Sequence, residues 1–206
     1  MNPILLDLPF PIVTPRLSIR PAAPGDGPAL YAAVAESIAG LRLWMPWARG
    51  EINVETCELN CREAYVRFLS REDLRLYCFD RATGDFVAGS GLHRIDWEHR
   101  IFEIGYWVRS SRAGAGYVSE AVNAIARYAF GPLDAKRVSI HCNASNAKSR
   151  AVAERLGFAL EGVHRNDDRA AAAEIQCRDH AIYARTSPEG LPRLDASWSS
   201  RANLSN

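Results

Sequence analysis

The 206 residues carry 25 Lys and Arg against 24 Asp and Glu, a formal net charge of +1, with 48% hydrophobic and 24% charged residues. That balance suits one folded domain with a sizeable core and gives no pull toward nucleic acid or an anionic membrane surface. No apolar run approaches the roughly 18 residues of a membrane span, and MNPILLDLPF lacks the basic start of a secretory signal. The five scattered cysteines, Cys57, Cys61, Cys78, Cys142 and Cys177, make no zinc-type set, so buried thiols in a reducing cytoplasm are expected, with no metal.

In chain order, IVTPRLSIR (12–20) predicts a first strand, and PAAPGDGP breaks it before a helix in which Leu30, Ala33, Val34, Ser37 and Ile38 share a face and Pro28 sits in the first turn. A second helix is expected from about 54 to 71, with Cys57, Cys61, Ala64, Tyr65 and Phe68 as its stripe. Between the two lies LRLWMPWA, too aromatic for a plain linker.

Antiparallel strands are predicted at 74–80 and 86–95, joined by the RATGD turn, followed by IFEIGYWVR at 101–109. A helix carrying Val118, Ala121, Val122, Ile125 and Ala129 runs to Gly131-Pro132. RVSIHCN (137–143) is a strand, 147–156 a helix ending at Gly157, and 158–163 and 175–185 are the last strands. From Ser187 the chain loses apolar periodicity, which predicts a poorly ordered tail over 187–206. The whole is an α/β (α+β) domain over 12–186 behind an extension at 1–11, a mixed, mostly antiparallel sheet of about seven strands with about four helices.

The chemistry concentrates in RSSRAGAGYVSEA (109–121), where Gly114 and Gly116 precede a helix. A glycine turn that opens a helix aims unpaired amides outward, where the helix dipole adds positive charge, and so can seat a phosphate. It can equally be a tight turn that uses glycine for positive φ. No Lys follows Gly116, which removes a nucleoside-triphosphate P-loop, and the third glycine of a dinucleotide fingerprint is missing. In IFEIGYWVR, alternation puts Glu103 on one face with Ile101, Gly105, Trp107 and Arg109, a carboxylate in apolar company. Burial there would raise its pKa and make it a better base, or it is a buried salt bridge with an arginine. His141 alternates with Val138, Ile140 and Cys142 and reads as structural.

Ser111-Arg112-Ala113-Gly114-Ala115-Gly116 resembles the acetyl-CoA loop of the GNAT superfamily of N-acetyltransferases, Gln/Arg-x-x-Gly-x-Gly/Ala, with Ser111 departing at the first position. TPRLSIRP (14–21), LRLWMPW, EIGYWV, NAKSRAVAERLGF, LEG and DHAIYAR fall in the order of its RimJ/RimL-type branch, over roughly residues 12–185. The resemblance implies a sheet splayed at an acetyl-CoA site and acetyl transfer to a primary amine by direct attack in a ternary complex. The acceptor it implies is a protein N-terminal α-amine or, alternatively, a small-molecule amine such as an antibiotic or polyamine. A CoA-binding sensor or interaction module that has lost turnover is the reading from another class. The resemblance also implies a homodimer.

By the same resemblance the amides of Arg112, Ala113, Gly114, Ala115, Gly116 and Tyr117 hold the pyrophosphate, with Arg109 flanking, and the pantetheine arm lies along Trp107 and Val108. The Val108 amide would polarise the acetyl carbonyl. Glu103 or Asp168 would serve as base, Ser149 would protonate the thiolate where many relatives use a tyrosine and this chain has Ala153, and Asn146 would touch the CoA arm. Asn146 and Ser149 are also a helix-capping pair. Trp44, Met45, Pro46 and Trp47 would wall the acceptor pocket, within reach of Tyr183.

Overall fold

The computed structural model describes residues 2–167 and 178–198. Its first strand is two: β1 (Ile12–Val13) folds back on β2 (Leu17–Pro21), with Ile12 opposite Ile19. Pro15 cannot donate to a ladder, and Thr14 closes the turn, its amide donating to Leu17 O (2.9 Å) and its hydroxyl accepting from the Leu17 amide (2.9 Å).

Helix α1 (Gly27–Trp44) starts on Pro28 and takes LRLW into its last turn, while Pro46–Arg49 forms a 3-10 turn. Helix α2 (Val54–Ser70) opens on a capping box, Asn53 accepting from the Thr56 amide and Thr56 from the Asn53 amide. Cys57, Cys61, Ala64 and Phe68 are buried on it as the periodicity predicts, whereas Tyr65 is exposed. Then come β3 (Leu74–Asp80), β4 (Phe86–Asp96) and β5 (Ile101–Val108), α3 (Tyr117–Phe130), β6 (Arg137–Asn143), α4 (Ala147–Arg155), β7 (Ala159–His164), β8 (His180–Arg185) and β9 (Ser197–Trp198).

These strands make one nine-stranded sheet in the order β7-β8-β6-β5-β4-β3-β2-β1-β9, antiparallel except for β5 and β6. Two cores cover its faces. Leu74, Leu76 and Cys78 of β3 pack with Phe102, Ile104 and helix α3, while Tyr77 between them turns to the other face, beneath α1 and α2. The strand count exceeds the expected seven through the split first strand and through β9.

β9 belongs to the segment expected to be poorly ordered. Residues 187–198 instead lie on the first core: Leu191 is buried, Trp198 meets Tyr128 edge to face at 5.6 Å, and β9 pairs with β1. Arg127 and Asn123 donate to the carbonyls of Leu191 and Pro192. A few apolar anchors and backbone carbonyl bonds hold this stretch, and neither leaves a period in the sequence.

Candidate functional site

β5 and β6 pair only from Ile101 with Arg137 to Glu103 with Ser139, and beyond that they part. Arg109 donates its amide to Val87 O (2.9 Å), so alternation along an antiparallel strand turns the Val108 amide the other way, into the gap. The edge of β5 from Ile104 to Val108 is thus open to an extended ligand, as a sheet edge is to an added strand.

The glycine turn stands at the end of that edge. Gly114 (φ 78°) and Gly116 (φ 81°) are left-handed, and a Cβ at Gly114 would meet nothing within 4 Å. The flanks of the turn are pinned. The Ser111 amide and Arg109 Nε both bond Glu36 of α1, at 2.7 and 2.6 Å, and the Ser110 amide bonds Ser37 Oγ. Arg112 pairs with Asp85 at 2.6 Å, Tyr117 donates to Asp80, and Arg16 reaches Ala115 O while pairing with Glu120.

This narrows the expected phosphate cradle. The Arg109 and Arg112 guanidinium groups are engaged by carboxylates, and the amides of Arg109, Arg112 and Ala113 already bond Val87 O, Arg109 O and Ser110 O. The amides from Gly114 to Tyr117, at the open N-terminus of α3, are the ones a ligand can take. Ser111, which departs from the expected Gln or Arg, fixes the turn to α1. The Ser111 hydroxyl, then Arg109 and the Ser111 amide, hold the Glu36 carboxyl at a pKa of about 2, below the ordinary 4.5.

A cavity of about 590 Å³ runs from a groove under α1 and α2 through the gap between β5 and β6. Trp44, Met45 and Trp47 wall its outer part, both indoles partly exposed, and Trp107 lies stacked on Phe86 at 5.6 Å with Trp47 at 5.8 Å. Its floor is hollowed by glycine: a Cβ at Gly89 would strike the Trp107 indole, and one at Gly105 would lie 3.0 Å from the His93 ring. At the inner end, Asn146 caps α4 by accepting from the Ser149 amide (3.1 Å), and Ser149 Oγ lies 2.9 Å from the Tyr106 hydroxyl. Burial pushes the Tyr106 phenol above its ordinary pKa.

Several expectations change. Glu103 follows the salt-bridge alternative rather than standing in apolar company: Arg94 Nη1 binds its Oε2 at 2.9 Å, His141 Nδ1 lies 3.3 Å from the same oxygen, and the carboxylate lines a side hollow rather than the main cavity. Tyr183 is fully buried, bonded to Arg150 and Glu154 of α4, and does not line the cavity. Asp168 lies outside the described residues. His141, read as structural, lines the cavity with His180, His93 and Arg75, none of which has a spacing signal in the sequence. Tyr106 packs on the first core, on the face opposite Glu103, and the parted strands open that face to the cavity as well.

The sheet thus opens its own centre beside a glycine turn that starts a helix, and a groove under α1 and α2 leads to that opening. The model of the acetyltransferase (GNAT) domain family matches residues 16–159, and the chain belongs to that family, whose enzymes use acetyl-CoA and need no metal. YdaF of Bacillus subtilis (strain 168), named as a candidate ribosomal N-acetyltransferase, is 31% identical over 158 residues, covering 75% of this chain and 84% of that protein. RimL, the ribosomal L7/L12 alpha-N-protein acetyltransferase solved with coenzyme A, superposes with a TM-score of 0.78 at 23% identity over 85% of this chain and 97% of RimL. The microcin C7 self-immunity acetyltransferase MccE, solved with acetyl-CoA and AMP, gives 0.76 at 22% identity over 84% of this chain and 93% of that one.

Proposed function

We propose that this acetyltransferase transfers its acetyl group to the α-amine at a protein N-terminus, by direct attack within a ternary complex. The observation that carries this reading is the groove itself: it runs under α1 and α2 to the parting of the strands, and its outer wall carries partly exposed indoles. Such a groove admits the end of a polypeptide, where a small amine would call for an enclosed pocket. The name carried by YdaF agrees with it.

Acetyl-CoA supplies a thioester acyl group. The chain's own groups do the rest. The amides of Gly114 to Tyr117 hold phosphate oxygens, and the open edge of β5, the Val108 amide included, aligns the pantetheine arm so that the acyl carbonyl reaches the parting of the strands, where an amide of that edge polarises it as charge develops on its oxygen. Trp44, Met45 and Trp47 hold the acceptor chain. The Ser149 hydroxyl protonates the departing thiolate. An α-amine, of pKa about 7.7 to 8.0 against about 10.4 for lysine, is partly neutral near pH 7 and needs only a modest base. A cytoplasmic site of action suits these buried thiols.

The test is acetyl transfer from acetyl-CoA to peptides with free or blocked N-termini, beside polyamines and aminoglycosides, with products located by tandem mass spectrometry. Acetyl on the α-amine of free peptides is expected. Transfer only to lysine side chains or small amines would overturn the acceptor, and acetyl-CoA binding without any transfer would make the protein a sensor.

A further inference from the structure

Glu103 with Ser139 is the last pair joining β5 to β6, so the next residues on the same face, Gly105 and His141, confront each other across the opening. One wall there has no side chain and the other has an imidazole. His141 lines the cavity on its way through the sheet, and its Nδ1 side is occupied by Glu103, which Arg94 fixes in turn at 2.9 Å. Arg94 reaches that carboxylate from a left-handed position (φ 45°) at the β4 register shift between His93 and Asp96.

Two other imidazoles line the same cavity. His93 is held by Asp73 at 2.6 Å but stands on β4, one strand away from the gap, and His180 stands on β8 on the far side of β6. Only His141 belongs to a strand that forms the gap.

We propose that His141 is the catalytic base of the transfer, taking the proton from the attacking amine nitrogen, and that Glu103 is the positioning residue that holds its ring. The proposal rests on acetyl transfer to an α-amine as read above. The nitrogen lone pair forms the bond to the acyl carbon, the carbon–sulfur bond breaks with its electron pair leaving on sulfur, the nitrogen's proton goes to His141 Nε2 and the sulfur's comes from Ser149. The imidazolium then releases its proton to solvent and Ser149 recovers one, so amine and thioester become amide and thiol.

The charged groups facing the ring are Glu103 from β5, Arg94 from β4, Arg137 from its own strand and His180 from β8. Burial is the largest influence and holds His141 below its ordinary 6.5, with Glu103 acting in the opposite direction. The ring is therefore neutral and able to accept a proton at pH 7.

The experiment follows kcat against pH at saturating α-amine peptide and acetyl-CoA for the wild type, His141→Gln, Glu103→Gln and His93→Gln, with CoA affinity and thermal unfolding as checks on folding. His141→Gln should lower kcat by about a hundredfold, with acceptor KM near that of wild type, and abolish the acid limb. Glu103→Gln should move that limb to lower pH, because the lost carboxylate favoured the imidazolium. Imidazole NMR of the ligand-free protein should show the same downward move in the His141 titration, independent of turnover. A His141→Gln enzyme with wild-type kcat and an intact limb overturns the proposal while leaving the acceptor reading standing, as does loss of the limb in His93→Gln. An unchanged His141 titration in Glu103→Gln removes Glu103 from it. A wild type that acetylates no α-amine overturns both.

Discussion

Tyr106 and Ser149 join the two walls of the gap: the Tyr106 hydroxyl, on β5, donates to the Ser149 carbonyl at 3.0 Å and lies 2.9 Å from Ser149 Oγ on α4. The serine that is to protonate the thiolate is therefore oriented by a phenol whose burial keeps it neutral. Ser149→Ala should lower kcat by about tenfold to a hundredfold while CoA affinity stays near wild type. Tyr106→Phe should cost less, since it leaves the acid in place and disturbs only its orientation. Stopped-flow thiol release and calorimetric CoA binding check both, and a Ser149→Ala enzyme as fast as wild type would remove serine from the proton path.

The glycine turn predicts a binding defect separable from a folding defect. A Cβ at Gly114 meets no atom within 4 Å, so the main cost of valine to the fold is that of a left-handed β-branched residue, about 1 to 2 kcal/mol. Its side chain adds bulk to the turn proposed to hold the phosphates. Gly114→Val should weaken CoA binding by more than about tenfold, which corresponds to about 1.4 kcal/mol, while the melting temperature falls by only about 2 to 8 °C and the protein stays folded at the assay temperature. Unchanged CoA affinity would sink the cradle reading.

Glu36 ties α1 to the turn and gives it an acid sensitivity. Its pKa of about 2 lies below the ordinary 4.5, so the folded state is favoured by this group above 4.5 and loses that contribution as pH falls through the interval toward 2. Glu36→Gln should melt below the wild type at pH 7, and the difference should close across that interval. Scanning fluorimetry over a pH series reads it directly; a gap that persists at pH 2 would assign the stabilisation to something other than the ionised carboxylate.

Tyr128 is fully buried, and its hydroxyl has no hydrogen-bond partner among the described residues. A buried hydroxyl without a partner opposes folding, so Tyr128→Phe should be neutral or stabilising by up to about 1 to 2 kcal/mol. Urea unfolding measures it. Destabilisation beyond about 1 kcal/mol would mean that the hydroxyl is satisfied in solution.

Much of this arrangement is legible in the sequence because it rests on local rules. Alternation in IFEIGYWV and the helical period after Gly116 place the turn at the end of a strand and the start of a helix, and both are found there. What escapes is relational. Alternation assigns residues to faces but cannot say that β5 and β6 part after Glu103, so Tyr106, on the core face, and His141, on the opposite face, could not be seen to share a cavity. Tyr183 alternates correctly and still faces α4 instead of the groove, since the sequence leaves open which face of β8 is covered. Pairs such as Asp73 with His93 and Glu103 with Arg94 arise from strand register and a bulge, and register is a property of two segments together.

The missing side chain at Gly89 lets the Trp107 indole lie flat against the sheet, with Phe86 beneath it and Trp47 of the groove wall 5.8 Å away. Two indoles at that separation, one fixed and one at the groove rim, constitute an intrinsic optical gauge. Their emission should change when a peptide enters, so that acceptor binding can be followed in the unlabelled wild-type enzyme, ahead of and apart from any turnover.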